Sequence, residues 1–114
     1  MTAAQHPIPG GLYLVNTRLL SGTDPKPRRP AVVIALPAFG LTDVPLLTRT
    51  TDTGERGVQH PANPALGLTK PGVFAYRFFR SMDSRYFAQQ AITPFLGMLE
   101  APYFAQIRAW WEAG

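Results

Sequence analysis

Short apolar runs separated by polar stretches rich in proline and glycine make up most of the chain, and the spacing changes to a helical one only near the C-terminus. Leu12-Tyr13-Leu14-Val15-Asn16, preceded by the turn pair Gly10-Gly11, predicts a first strand. Ala31-Val32-Val33-Ile34-Ala35-Leu36 is continuously apolar, too short for a typical helix and β-branched in the middle, so it predicts a buried central strand. Pro30 can begin that strand but is not expected inside it, because proline has no amide for the ladder. A turn at Pro37-Ala38-Phe39-Gly40 leads to a short strand from Val44 to Thr48, and the polar run from Arg49 to Arg56 is expected to leave the sheet. Thr48 thus falls where strand becomes loop. After a punctuated excursion from His60 to Pro71, Val73-Phe74-Ala75-Tyr76 and Phe78-Phe79 return to strand character with Gly72 at the entry. Strict alternation would set Phe74, Tyr76 and Phe78 on one face.

From Pro102 onward, Phe104, Ile107 and Trp111 recur at three- and four-residue intervals, which predicts a C-terminal helix with proline in its first turn, ending near Gly114. Residues 1–10 are small, polar and unpatterned and read as a flexible leader, leaving residues 11–114 as one domain. Thr17 to Arg29 reads as an exposed loop broken by Gly22, Pro25 and Pro27; it concentrates Arg18, Lys26, Arg28 and Arg29 against a single acid, Asp24.

Composition narrows the class. The 114 residues suit one core, and 46% hydrophobic with 16% charged residues is too apolar for a disordered chain. Twelve prolines and ten glycines favour a mainly β fold of short strands and turns. With no cysteine there is neither a disulfide framework nor a Cys-containing zinc site, and two histidines, His6 and His60, are too few and too badly spaced for a convincing metal centre; both are expected at the surface. No cofactor or metal is expected. The N-terminus lacks a signal-peptide pattern and no apolar run approaches the ~18 residues of a membrane span, so the expectation is a cytoplasmic protein. A net charge of +4 favours a polyanionic partner. No nucleophile elbow, phosphate-cradling glycine motif or paired-carboxylate spacing is present.

Several local strings, in order, resemble the PemK/MazF family of bacterial toxin ribonucleases: Gly11-Leu12-Tyr13-Leu14-Val15-Asn16, Arg29-Pro30-Ala31-Val32-Val33, Val44-Pro45-Leu46-Leu47-Thr48, and Leu68-Thr69-Lys70-Pro71-Gly72-Val73-Phe74 followed by Arg80-Ser81-Met82-Asp83. Gly97-Met98-Leu99 before the last helix also fits, and the resemblance covers about residues 10 to 112. It implies a small SH3-like barrel of the CcdB/PemK type with a C-terminal α-helix. Two departures stand out. The family usually carries an acid followed by Gln before the late arginine, where this chain has Arg77-Phe78-Phe79, and the basic loop lacks the usual Gly-Ser-Glu type of start.

The activity so implied is metal-independent cleavage of single-stranded RNA by transphosphorylation, carried out by a homodimer and neutralised by an antitoxin protein. Such cleavage needs a group to take the 2′-hydroxyl proton, one to protonate the leaving oxygen, and donors for the charged phosphorane. The resemblance places the catalytic pair on Arg29 and Thr48. Because guanidinium stays protonated at neutral pH, charge stabilisation is the safer role for Arg29 than base. Lys26, Arg28, Arg49, Arg80 and Arg85 are the candidate RNA-binding cations. Arg77, Arg80 and Arg85 interleave with Phe78, Phe79, Tyr86 and Phe87, a mixture that would set charges on phosphates and rings against bases, but the aromatics fit packing better: alternation is expected to bury one set in the barrel and leave mainly the arginines for RNA. Trp110-Trp111 fits base stacking less well than packing or a dimer interface. The same residues also fit a catalytically silent SH3-like module that binds nucleic acid or protein, with Arg28-Arg29 solvating a loop end and Thr48 ending a strand.

Overall fold

The computed structural model describes residues 6–114, so residues 1–5 of the expected leader lie outside the described residues. The rest of that segment is tied to the sheet: the Ile8 amide donates to the Tyr13 hydroxyl at 3.1 Å, and the Gly10 amide to the Val33 carbonyl at 2.8 Å.

Six strands form one antiparallel sheet that curls into a half-barrel: β1 (Gly11–Asn16), β2 (Arg28–Val33), β3 (Asp43–Thr50), β4 (Gly57–His60), β5 (Gly72–Asp83) and β6 (Phe95–Met98). Their spatial order is β4-β5-β3-β2-β1-β6, followed in sequence by one helix, α1 (Ala101–Ala113). The mainly β class and the C-terminal helix are as the sequence predicts. Period-two alternation explains why both faces are apolar. Leu12, Val32, Leu47 and Phe74 point to the face covered by Ile107 of α1, while their neighbours Tyr13, Val33 and Leu46 join Leu20 and Phe87 on the other. Each fully buried side chain of this kind contributes roughly 1.5–3 kcal/mol, so the two clusters, with no disulfide, hold the sheet.

The strand boundaries depart from expectation in ways that shape the site. Pro30 is the third residue of β2, not its first. It is tolerated there because Leu14, opposite it in β1, turns its own amide to the Pro94 carbonyl; Pro30 nitrogen therefore faces β3, whose pairing with β2 begins only at Ala31. Arg28 and Arg29 are strand residues rather than loop residues, and β2 ends at Val33, leaving Leu36 outside the sheet and 57% exposed. Arg49 and Thr50 do not leave the sheet but extend β3, and both are buried. β4, β6 and the 3-10 turn at Ser84–Ala88 carry no strong sequence signal and are additions to the expected elements.

The expected common face for Phe74, Tyr76 and Phe78 is broken. Leu47 pairs with Phe79 but Arg49 pairs with Phe74, so the single residue Thr48 faces the stretch Ala75–Phe78 across an irregularity in β5. Beyond it, Phe79 joins Tyr76 on the helix side, where they stack on Trp111 and Trp110 at 5.5 and 4.6 Å. Phe78 emerges on the opposite face.

Candidate functional site

Register brings the two expected catalytic residues together. Ala31 pairs with Thr48, and Arg29 stands two residues before Ala31 on the same face of β2, so Arg29 and Thr48 are diagonal neighbours, about 7–8 Å apart in a regular ladder. Arg29 is 8% exposed and its Nε donates to Asp24 Oδ2 at 2.6 Å; the Lys26 amide donates to the other oxygen at 2.9 Å. Burial pushes the Asp24 carboxyl up, but these donors outweigh it and hold the group below the usual carboxylate range. Thr48 is 1% exposed and donates to the Phe78 carbonyl at 3.4 Å.

Phe78 completes the cluster. Its ring centroid lies 4.7 Å from the Arg77 guanidinium carbon, 5.7 Å from that of Arg80 and 5.9 Å from that of Arg29. Arg80 also donates to the Phe79 carbonyl at 3.0 Å and to the Thr23 carbonyl at the edge of the basic loop. Among the expected RNA-binding cations, Arg80 is thus beside the pair. Lys26 and Arg28 are exposed, Lys26 on the basic loop and Arg28 on the face opposite Arg29 by strand alternation. Arg85 is elsewhere, following the far end of β5, where it pairs with Asp83 at 3.7 Å and covers the Tyr86 ring. At ~3.3 Å per residue, Asp83 is about 13 Å along the strand from Phe79, which pairs with Leu47 next to Thr48.

Arg49 faces the interior. It is 4% exposed; its Nε donates to His60 Nδ1 at 3.2 Å and its Nη2 to the carbonyls of His60, Pro61 and Lys70 at 3.3, 3.4 and 2.8 Å. Burial lowers its pKa, partly offset by the charge of Glu100. His60, expected at the surface, is 2% exposed: Tyr103 of α1 and Phe74 of β5 flank its ring at 4.9 and 5.5 Å. Since Nδ1 accepts from Arg49, the ring proton belongs on Nε2, which donates to the Glu100 carboxylate at 3.1 Å. Burial raises the Glu100 carboxyl, and hydrogen bonds from its own amide, His60 and Asn63 bring it below the ordinary range. This Arg49–His60–Glu100 chain was not foreseen. The available signal was the strand alternation Leu47, Arg49, which turns the arginine inward, and an acid just before the helix proline.

Among the described residues no group of three His, Asp or Glu side chains is arranged to hold a metal ion, and no helix is long and apolar enough to cross a membrane.

No protein-family profile and no curated protein matches the chain at the sequence level. Among solved structures it is similar to a chain of the MazE-MazF crystal structure (Form-II) from Deinococcus radiodurans, with 22% identity over 91% of this chain and 89% of that one and a TM-score of 0.58. At that identity the likeness speaks to architecture, and the architecture agrees with the resemblance found in the sequence: this chain has a MazF/PemK-like toxin fold.

Proposed function

We propose that this protein is a toxin-type endoribonuclease that cuts single-stranded RNA without a metal, acts in the cytoplasm as a homodimer, and is neutralised by an antitoxin protein. The observation that carries this reading is the placement of Arg29 and Thr48 as diagonal neighbours on one sheet face, with further arginines at the rim. The MazF of Deinococcus radiodurans was solved together with MazE, which supports an antitoxin partner for a chain of the same fold. With its Nε–H given to Asp24, Arg29 is a donor and a cation rather than a base. Its role is to hold the scissile phosphate and spread the charge of the phosphorane, displacing Asp24 from the guanidinium as RNA enters; Thr48 adds a hydroxyl donor.

A second reading has an observation in its favour: Asp24 already occupies Arg29, and Thr48 is covered and bonded to the Phe78 carbonyl. That closed arrangement also suits a silent SH3-like module binding nucleic acid or protein. Incubating a long unstructured RNA with purified wild type and Arg29→Ala in EDTA, then mapping the cut ends, separates the two. Discrete cuts that fall at least 100-fold in the variant are expected, the usual scale for losing one transition-state donor being about 10²–10³. RNA left intact by the wild type would give the case to the binding module.

A further inference from the structure

An aromatic ring in a folded domain normally packs into a core, and Phe78 does not: it belongs to neither apolar cluster, although Tyr76 and Phe74 of the same strand belong to one of them. The irregularity in β5 that lets one residue of β3 face the stretch Ala75–Phe78 turns its ring away from α1 and onto the face of Arg29. There it is partly exposed, ringed by three guanidinium groups, and anchored at its carbonyl by the hydroxyl of Thr48. Arg77 lies nearest the ring; its side chain is 68% exposed and paired with Glu55 at 2.5 Å, and an ion pair open to water on the arginine's side holds the guanidinium over the ring only weakly against an incoming flat group. Cations in this arrangement suit phosphates, and a ring set among them, free of core packing, suits a planar π-system.

The geometry points to Phe78 as the stacking platform for the nucleobase next to the scissile phosphate, so that the site takes single-stranded nucleic acid whose bases are splayed out rather than a duplex. This rests on the ribonuclease reading and deepens it. The position is one where the chain departs from the family pattern, and the departure supplies the ring. Stacking is tolerant of base identity, since every base has a π-face, so Phe78 sets a requirement for an unpaired base while hydrogen bonds elsewhere choose among the four.

The test uses fluorescein-labelled 12-nucleotide single-stranded DNA, which lacks the 2′-hydroxyl and is not cut, beside an abasic oligomer of the same length and charge. Anisotropy titrations compare wild type, Phe78→Ala, Phe78→Leu and Phe78→Trp. Wild type is expected to prefer the base-bearing oligomer, and Phe78→Ala to reduce that preference by roughly 5- to 100-fold, the effect of one lost base–aromatic stack. Phe78→Leu keeps an apolar side chain without the ring and should resemble Phe78→Ala, whereas Phe78→Trp should retain the preference. Equal weakening on both oligomers, or none, overturns the platform. Wild-type binding to neither oligomer, with RNA left intact, overturns the ribonuclease reading as well; RNA cleavage with a base preference untouched by Phe78→Ala overturns the platform alone.

Discussion

Arg29 and Arg49 lie on adjacent strands a few residues apart, both less than a tenth exposed, and the fold uses them in opposite ways. Arg49 gives its hydrogen bonds to the interior: three carbonyls and the His60 ring, backed by Glu100 at the entry to α1. Arg29 gives its Nε–H to Asp24, on a loop whose residues from Ser21 to Pro27 are almost all exposed, and lies over the Phe78 ring. The difference is one of face. Alternation sends Arg49 to the side covered by the helix, where a charge persists only if every donor is matched, and Arg29 to the side where β5 turns Phe78 and Arg80 outward. One arginine has its donors committed to the fold; the other is held by a carboxylate that an incoming phosphate can replace.

The sharpest way to break this contrast is to remove each guanidinium in turn. Arg49→Met leaves His60 Nδ1 and three carbonyls without their donor and Glu100 without its counter-charge, and should cost about 3–5 kcal/mol in urea unfolding at pH 7. Arg29→Met should cost less, about 1–2 kcal/mol, because Asp24, whose side chain is only 9% exposed beside the guanidinium, sits on an exposed loop that can turn it to water, while RNA cleavage is lost. Equal losses of stability would mean that Arg29 is as structural as Arg49. An effect smaller than that of Arg49→Met is expected from Gly72→Ala. Its added methyl would lie 2.6 Å from the Arg49 guanidinium carbon and 2.7 Å from the Thr50 carbonyl, so something must shift, at about 1–3 kcal/mol. Since the strain is confined to the helix side, Gly72→Ala should leave cleavage per folded molecule unchanged; a loss of activity without a loss of stability would join the two regions.

Much of the sheet was legible along the chain, whereas the contrast between the two arginines was not, and the reasons are instructive. The strands containing Leu12–Asn16 and Val44–Thr48 and the helix after Pro102 follow from local periodicity, which any sequence exposes. Arg29 and Thr48 were legible only through the resemblance, and register then brought them together. Arg49 was misread as a loop cation because Arg49-Thr50 looks polar, yet β3 continues through both and buries them. His60 was misread for a related reason: its partners, Arg49 and Glu100, are 11 and 40 residues away, and no local pattern reports pairings at that distance. The face of Phe78 was unreadable because alternation fails wherever a strand carries extra residues, and nothing in Ala75-Tyr76-Arg77-Phe78 announces the irregularity.

The gentlest probe of the comparison is pH. Among the described residues the two carboxyls held low are Glu100, at the buried arginine, and Asp24, at the open one. A carboxyl whose folded pKa lies below its unfolded one gives stability that is fully present above the ordinary carboxylate range, because below it the unfolded chain binds the additional proton. That stability fades as pH falls through the ordinary value and is gone below the depressed one, so both groups should make unfolding easier between neutral pH and about pH 3. Glu100→Gln keeps an acceptor for His60 but cannot titrate; with its side chain 36% exposed and screened by water, it should cost about 0.5 kcal/mol at pH 7 and flatten the acid slope of the unfolding midpoint. Asp24→Asn should flatten it similarly while freeing Arg29, and so raise the binding of single-stranded oligonucleotide at neutral pH where Glu100→Gln does not. Oligonucleotide binding that rises equally in both variants would show that the charge of the buried chain reaches the open face, and the separation between the two arginines would fail.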